Sequence, residues 1–169
     1  MLNLGEPHHF GKGIHMKLCI FSDSHGRPEP MVQAVRMENP DMCLFLGDGL
    51  RDLTVLQREF PDMPIRCVQG NCDYDRSVPL RQVISVHGCT ILLLHGHTCQ
   101  VKQDPHLYLL RQEARDAGAA VALFGHTHSP YLEEGRILLL NPGSAARGNY
   151  GILTVEDGIC SAGLRRLTQ

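Results

Sequence analysis

The chain has 169 residues, 43% of them hydrophobic and 20% charged, with a formal net charge of −2, which suits one folded globular domain and is short for two. Beyond Arg165-Arg166 there is no basic cluster, so charge gives no expectation of non-specific binding to nucleic acid or anionic membrane, and no apolar run approaches the ~18 residues of a spanning helix. Seven cysteines, with no Cys-x-x-Cys and with Cys19, Cys43 and Cys89 inside apolar runs, predict reduced, mostly buried thiols in a cytoplasmic protein rather than a disulfide framework.

Residues 1–15 (MLNLGEPHHFGKGIH) match no structural period and lack the apolar core of a signal peptide. With Met16 directly ahead of the first strand-like run, they read as a disordered extension or mis-assigned start, with His8, His9 and His15 without function, and residues 16–169 as one domain. Residues 17–21 (KLCIF) form a short apolar run that ends in Ser22-Asp23-Ser24-His25-Gly26. A strand followed by Asp-x-His-Gly puts a carboxylate and an imidazole where α/β sheets place their ligands, although Asp23 could equally cap the next helix. That helix is predicted over 30–37 and stopped by Asn39-Pro40. A second strand over 42–46 ends in Gly47-Asp48-Gly49, where flanking glycines let the backbone turn sharply. A helix over 52–60 leads to a third strand, 65–69, which ends in Gly70-Asn71-Cys72-Asp73.

From residue 80 the pattern changes to hairpins. Residues 80–86 and 89–94 flank His87-Gly88, and the second arm ends in His95-Gly96-His97. A helix over 107–117 and an apolar run over 119–124 precede Gly125-His126-Thr127-His128, which is either a polar turn or a pair of metal ligands. Residues 131–133 and 137–140 form a second hairpin that ends in Asn141-Pro142-Gly143-Ser144, and Asp157-Gly158 closes a third between 150–155 and 159–164. A β-α-β-α-β half followed by three hairpins predicts two stacked sheets with helices outside.

Asp23, His25, Asp48, Asn71, His95, His126 and His128 all follow apolar runs. Loops collect polar residues of any kind, but that alone does not account for good ligands at five strand ends where Lys, Glu, Gln and Thr are nearly missing. Seven ligands are too many for one four-coordinate zinc, and four imidazoles are too many for Ca²⁺ or Mg²⁺. Two first-row divalent ions fit better, with Mn²⁺ foremost and Ni²⁺, Fe²⁺, Co²⁺ or Zn²⁺ as alternatives. Two ions ~3.5–4 Å apart suit phosphoester hydrolysis, and Asp48 between its glycines is the natural bridge.

In this order, Asp23-x-His25, Gly47-Asp48, Gly70-Asn71-x-Asp73, His95-Gly-His97 and Gly125-His126-x-His128 resemble the calcineurin-like metallophosphoesterase superfamily. Asn141-Pro-Gly-Ser144 further resembles its small bacterial and archaeal phosphodiesterase branch. The resemblance implies an α/β fold, a four-layer α/β/β/α sandwich of two stacked mixed β-sheets flanked by helices. It implies Asp23, His25 and His128 on one metal, Asn71, His95 and His126 on the other, and Asp48 as the bridge. The activity implied is hydrolysis of small phosphodiesters, with monoesters as a second class, by a hydroxide bridging the metals. Asp48, Asn71, Cys72 and His97 would line the reacting centre. Cys72 departs from the wider pattern, which has histidine there, and a thiol is a weak donor without positive charge. His97, one residue past a ligand, is the candidate for substrate contact or for support of His95. The retromer subunit of the same fold also resembles this chain, which keeps a protein-binding scaffold as the alternative. Exposed hairpin edges leave a homo-oligomer open.

Overall fold

The computed structural model describes residues 15–168, and the expected extension with His8 and His9 lies outside the described residues except at His15. The elements in chain order are β1 (His15–Phe21), α1 (Glu29–Glu38), β2 (Met42–Phe45), α2 (Leu53–Glu59), β3 (Ile65–Cys67), β4 (Arg81–Val86), β5 (Cys89–Leu94), α3 (Tyr108–Asp116), β6 (Val121–Leu123), β7 (Tyr131–Glu133), β8 (Leu138–Asn141), β9 (Asn149–Glu156) and β10 (Ile159–Arg166). His15 opens β1, opposite Glu156 of β9, so the first strand starts two residues before the expected one.

The strands form two mixed five-stranded sheets, ordered β10-β9-β1-β2-β3 and β4-β5-β6-β8-β7. All three expected hairpins form, β4/β5, β7/β8 and β9/β10. At the first and last, His87-Gly88 and Asp157-Gly158 have positive φ at both residues (43° and 83°, 49° and 80°), the backbone whose twist suits a two-residue hairpin. The last hairpin returns to pair β9 antiparallel with β1, which places the chain's final strands in its first sheet.

Alternation along the central strands builds the layers, since successive strand side chains point to opposite faces. Leu18 and Ile20 of β1 meet Ile91 and Leu93 of β5 between the sheets. Cys19 and Phe21 point the other way, onto Met31 and Val35 of α1 and Leu56 of α2. Leu92 and Leu94 of β5 pack on Leu110 and Ala114 of α3. The result is the expected four-layer α/β/β/α sandwich, and each fully buried Leu, Ile or Phe contributes roughly 1.5–3 kcal/mol to it.

Five of the seven cysteines stand as free thiols, whereas the sulfurs of Cys89, which opens β5, and Cys160 of β10 meet between the two sheets, 71 positions apart in sequence. The pair is made by the stacking of the sheets, and no local spacing announces it. Cys19, Cys43, Cys67, Cys72 and Cys99 are free, and burial pushes the Cys43 thiol up to about 12.

Within the sheets β1, β2 and β3 run parallel, as do β5, β6 and β8. Parallel strands end at the same edge, so the loops after β1, β2, β3, β5 and β6 gather at one end of the sandwich.

Candidate metal centre

The first cluster joins the loops after β1 and β6. Asp23 is fully buried, and its Oδ1 lies 3.0 Å from His128 Nε2 and 3.6 Å from His25 Nε2, while those two nitrogens face each other at 3.2 Å. Oδ1 makes no hydrogen bond, which is costly for a buried carboxylate oxygen without a cation. The second cluster joins the loops after β2, β3, β5 and β6. Asp48 Oδ2 lies 3.2 Å from His95 Nε2, Asn71 Oδ1 lies 3.1 Å from the same nitrogen, and the His126 ring centroid is 5.0 Å from that of His95. Asp48 Oδ2 is also 3.9 Å from His25 Nε2, so it stands between the clusters as a bridging carboxylate would. All seven residues read as ligands from the sequence are therefore brought together. Orphaned Asp23 Oδ1 and the convergent imidazoles fit divalent-cation binding.

The local backbone explains why the side chains converge. Asp23, His25, Asp48, His126 and His128 all have left-handed φ, at 57°, 44°, 60°, 68° and 61°. Each such non-glycine residue costs roughly 1–2 kcal/mol, strain that persists where surrounding structure over-determines it. Here the surroundings are a set of hydrogen bonds. Asp23 N–H donates to Gly47 O and His25 N–H to Asp48 O, at 2.9 and 3.1 Å, which ties the first two loops together. Ser22 Oγ and His126 N–H donate to Asp23 Oδ2 at 2.6 and 3.1 Å. Gly125 allows that approach, because a Cβ there would collide with Ser22 Oγ and lie 2.9 Å from Asp23 Oδ2.

Sequence reasoning missed the residues that hold these loops. Asp52 Oδ2 accepts from Ser24 Oγ and Gly26 N–H. Asn141 Nδ2 donates to Gly125 O and Thr127 Oγ1 while its Oδ1 accepts from Gly143 N–H, and Ser144 Oγ donates to Asp23 O. The Asn-Pro-Gly-Ser stretch thus braces the His126–His128 turn. Asp73 accepts four backbone N–H groups from two loops. Its place in the Gly70-Asn71-x-Asp73 motif was the available signal, but only the structure supplies its partners.

Electrostatics reflect the crowding of acids and imidazoles. His95 is fully buried and its Nδ1 donates to Leu46 O at 2.7 Å, the arrangement that aims Nε2 at a metal. Burial works against its charge, but the Asp48 hydrogen bond and the Asp23 charge win and push its pKa up. Asp48 is held well below the usual carboxylate range. Desolvation opposes this and is outweighed by the His95 contact and by the Cys72 N–H at 2.8 Å. His126 is pushed down to about 4, by burial first and then by the charges of His95 and Lys102. Cys72 is exposed at the rim, near His25 and Asp48, and desolvation with the Asp48 charge pushes its thiol up. His97 stands beside the second cluster, its ring 5.4 Å from His95 and 6.1 Å from His126, with Nδ1 buried and unpartnered.

Two acid-and-imidazole clusters lie at the loop end of this sandwich, with the Asp48 carboxylate between them. Residues 16–158 match the calcineurin-like phosphoesterase superfamily domain. The chain belongs to this superfamily. It is 31% identical over 150 residues to a probable metallophosphoesterase, YsnB, of Bacillus subtilis, covering 84% of this chain and 86% of that protein. The crystal structure of a predicted phosphoesterase from Streptococcus pneumoniae superposes with a TM-score of 0.74 at 27% identity, over 90% of each chain. At 21% identity, where likeness bears on the fold alone, a novel archaeal phosphodiesterase has a TM-score of 0.71 over 89% of this chain and all of that one. Zinc-complexed Vps29 of Entamoeba histolytica, also at 21%, has 0.72 over 90% and 98%.

Proposed function

We propose that residues 16–169 form one cytoplasmic domain that hydrolyses small phosphodiesters, and phosphomonoesters more slowly, with two divalent transition-metal ions, Mn²⁺ the first to test. The observation that carries this reading is the placing of Asp48 between two ligand clusters, one of which holds a buried carboxylate oxygen with no hydrogen bond. Asp23, His25 and His128 would hold one ion, Asn71, His95 and His126 the other, and Asp48 both. Such ions polarise phosphoryl oxygens and make hydroxide available near neutral pH.

The chain's own groups set which substrates suit the site. Cys72 N–H fixes the Asp48 carboxylate, while its thiol is neutral and a poor proton donor. The departing oxygen therefore leaves largely unprotonated, and the rate depends steeply on the leaving group's own pKa. General acid help is typically worth ~10²–10⁴-fold where it operates. Aryl esters are cut well and alkyl esters poorly. Diesters, with one less negative charge than monoesters, admit a nucleophilic oxygen more readily. Elemental analysis after incubation with Mn²⁺ should give about two ions per chain, as the two clusters require. Rates for aryl phosphodiesters of graded leaving-group pKa should fall steeply in the natural protein and less steeply in Cys72→His. A flat dependence in the natural protein would show that another acid, His97 being the nearest, already protonates the leaving oxygen.

A further inference from the structure

The Asp73 carboxylate accepts four main-chain hydrogen bonds. Oδ2 takes Asp48 N–H at 2.7 Å and Gly70 N–H at 2.8 Å, and Oδ1 takes Gly49 N–H and Leu50 N–H at 3.0 Å each. An aspartate in a turn commonly accepts a nearby N–H, and the bond from Gly70, three residues away, is of that local kind. The other three are not. Their donors lie 25, 24 and 23 residues earlier, on the loop that follows β2. Gly47, Asp48 and Gly49 have φ of 98°, 60° and 146°, a run of positive values that turns successive N–H groups toward one point. Such a concavity binds anions. In this chain the anion is supplied from within, by the side chain two residues after Asn71.

We propose that Asp73 is the positioning residue that makes the two metal positions interdependent, by filling a backbone nest shared by the Asp48 and Asn71 loops. The inference rests on the two-ion reading above. Asp73 faces main chain rather than the ion positions. Through Asp48 N–H it holds the left-handed backbone that aims the bridging carboxylate, and through Gly70 N–H it holds the start of the loop that carries Asn71. Cys72 N–H, one residue before it, fixes the rotation of the Asp48 carboxylate. One carboxylate thus sets a ligand of the second ion and the ligand common to both. Without it the Asp48 loop loses its internal anion, and occupancy of one position no longer preorganises the other.

The test is Co²⁺ titration of the metal-free natural protein, Asp73→Asn and Asp75→Asn, followed by visible d–d absorption with elemental stoichiometry and near-ultraviolet circular dichroism to establish the fold. In Asp73→Asn an amide NH₂ faces two backbone N–H donors in place of an acceptor oxygen. Outer partners of this kind typically cost 10–100-fold in metal affinity when removed. We expect a loss of that size for the folded variant, with the second ion lost before the first. Asp75 lies on the same loop but accepts only from Ser77 N–H and Oγ, so Asp75→Asn should bind as the natural protein does. A folded Asp73→Asn that loads two ions with unchanged affinity overturns the proposal and leaves the two-ion reading standing. A natural protein that takes up no Co²⁺ overturns both. Should Asp73→Asn not fold, hydrogen exchange on the natural protein decides. The amides of Asp48, Gly49, Leu50 and Gly70 should slow together as ions are added, and independent or unchanged rates overturn the proposal.

Discussion

Gly70→Ala offers a sharp test of whether the site depends on the close approach of two loops. A Cβ at Gly70 would collide with Asp48 Oδ1 and lie 2.6 Å from Asp48 N and 2.7 Å from Asp48 Cγ. The carboxylate has no free direction of retreat, because Cys72 N–H holds Oδ1 at 2.8 Å and His95 Nε2 lies 3.2 Å from Oδ2. Restoring ordinary carbon contacts of about 3.5 Å requires a displacement of about 1 Å. Forced overpacking of this kind costs about 1–3 kcal/mol, and at ~2–4 °C per kcal/mol for a chain of this size Tm should fall by several degrees. The functional effect should be larger, since a 1 Å misplacement is worth ~10²-fold in rate. Gly118→Ala serves as the control. Its φ is +62° and an added Cβ meets nothing within 4 Å, so it carries only the backbone strain of about 1–2 kcal/mol, far from the ligands. Calorimetry, metal content and phosphodiester hydrolysis should thus show comparable thermal losses but a rate loss in Gly70→Ala alone. Equal rates for the two variants would refute the argument that the approach of Gly70 to Asp48 sets the bridge.

Two further outcomes follow from the electrostatics and the ligand geometry. In the metal-free protein the raised pKa of His95 contributes stability that is full below about 6.5 and is lost as pH rises through the raised value, while the lowered pKa of Asp48 contributes stability present above 3.8 and lost as pH falls. The lowered pKa values of His126 and His97 work the other way and cost stability as pH falls below 6.5, so the metal-free Tm should peak near pH 6.5, and ion uptake there should release the His95 proton, so that affinity increases with pH. Calorimetry in two buffers of different ionisation enthalpy would refute this if no proton were released at pH 6.5. Asp48→Ala should lose both ions and all measurable activity, whereas His97→Ala, whose ring lies beside the second cluster, should keep both ions and lose activity only in part. Equal metal contents and equal residual rates would mean that Asp48 is not the bridge.

The residues that converge at the loop end were legible in the sequence because each follows a short apolar run, and side chains just past strand ends are where α/β sheets expose chemistry. The helices and hairpins were legible for similar local reasons, including turn residues such as Asp157-Gly158 that accept positive φ. Boundaries were less so. Residues 119–124 read as one apolar strand but give only the three residues of β6, because ladder pairing with β5 and β8 decides where a strand ends. What tertiary structure alone decided are the events between segments distant in sequence. The last hairpin lies in the first sheet, Cys89 meets Cys160, and Asp73 reaches back to the Asp48 loop. A sequence pattern records the face on which a side chain lies, whereas the partner of a polar atom depends on how the sheets stack and where their loops meet. The seven converging residues could therefore be named from order alone, but the hydrogen bonds by which Asp52, Asp73 and Asn141 hold their loops became visible only with the fold.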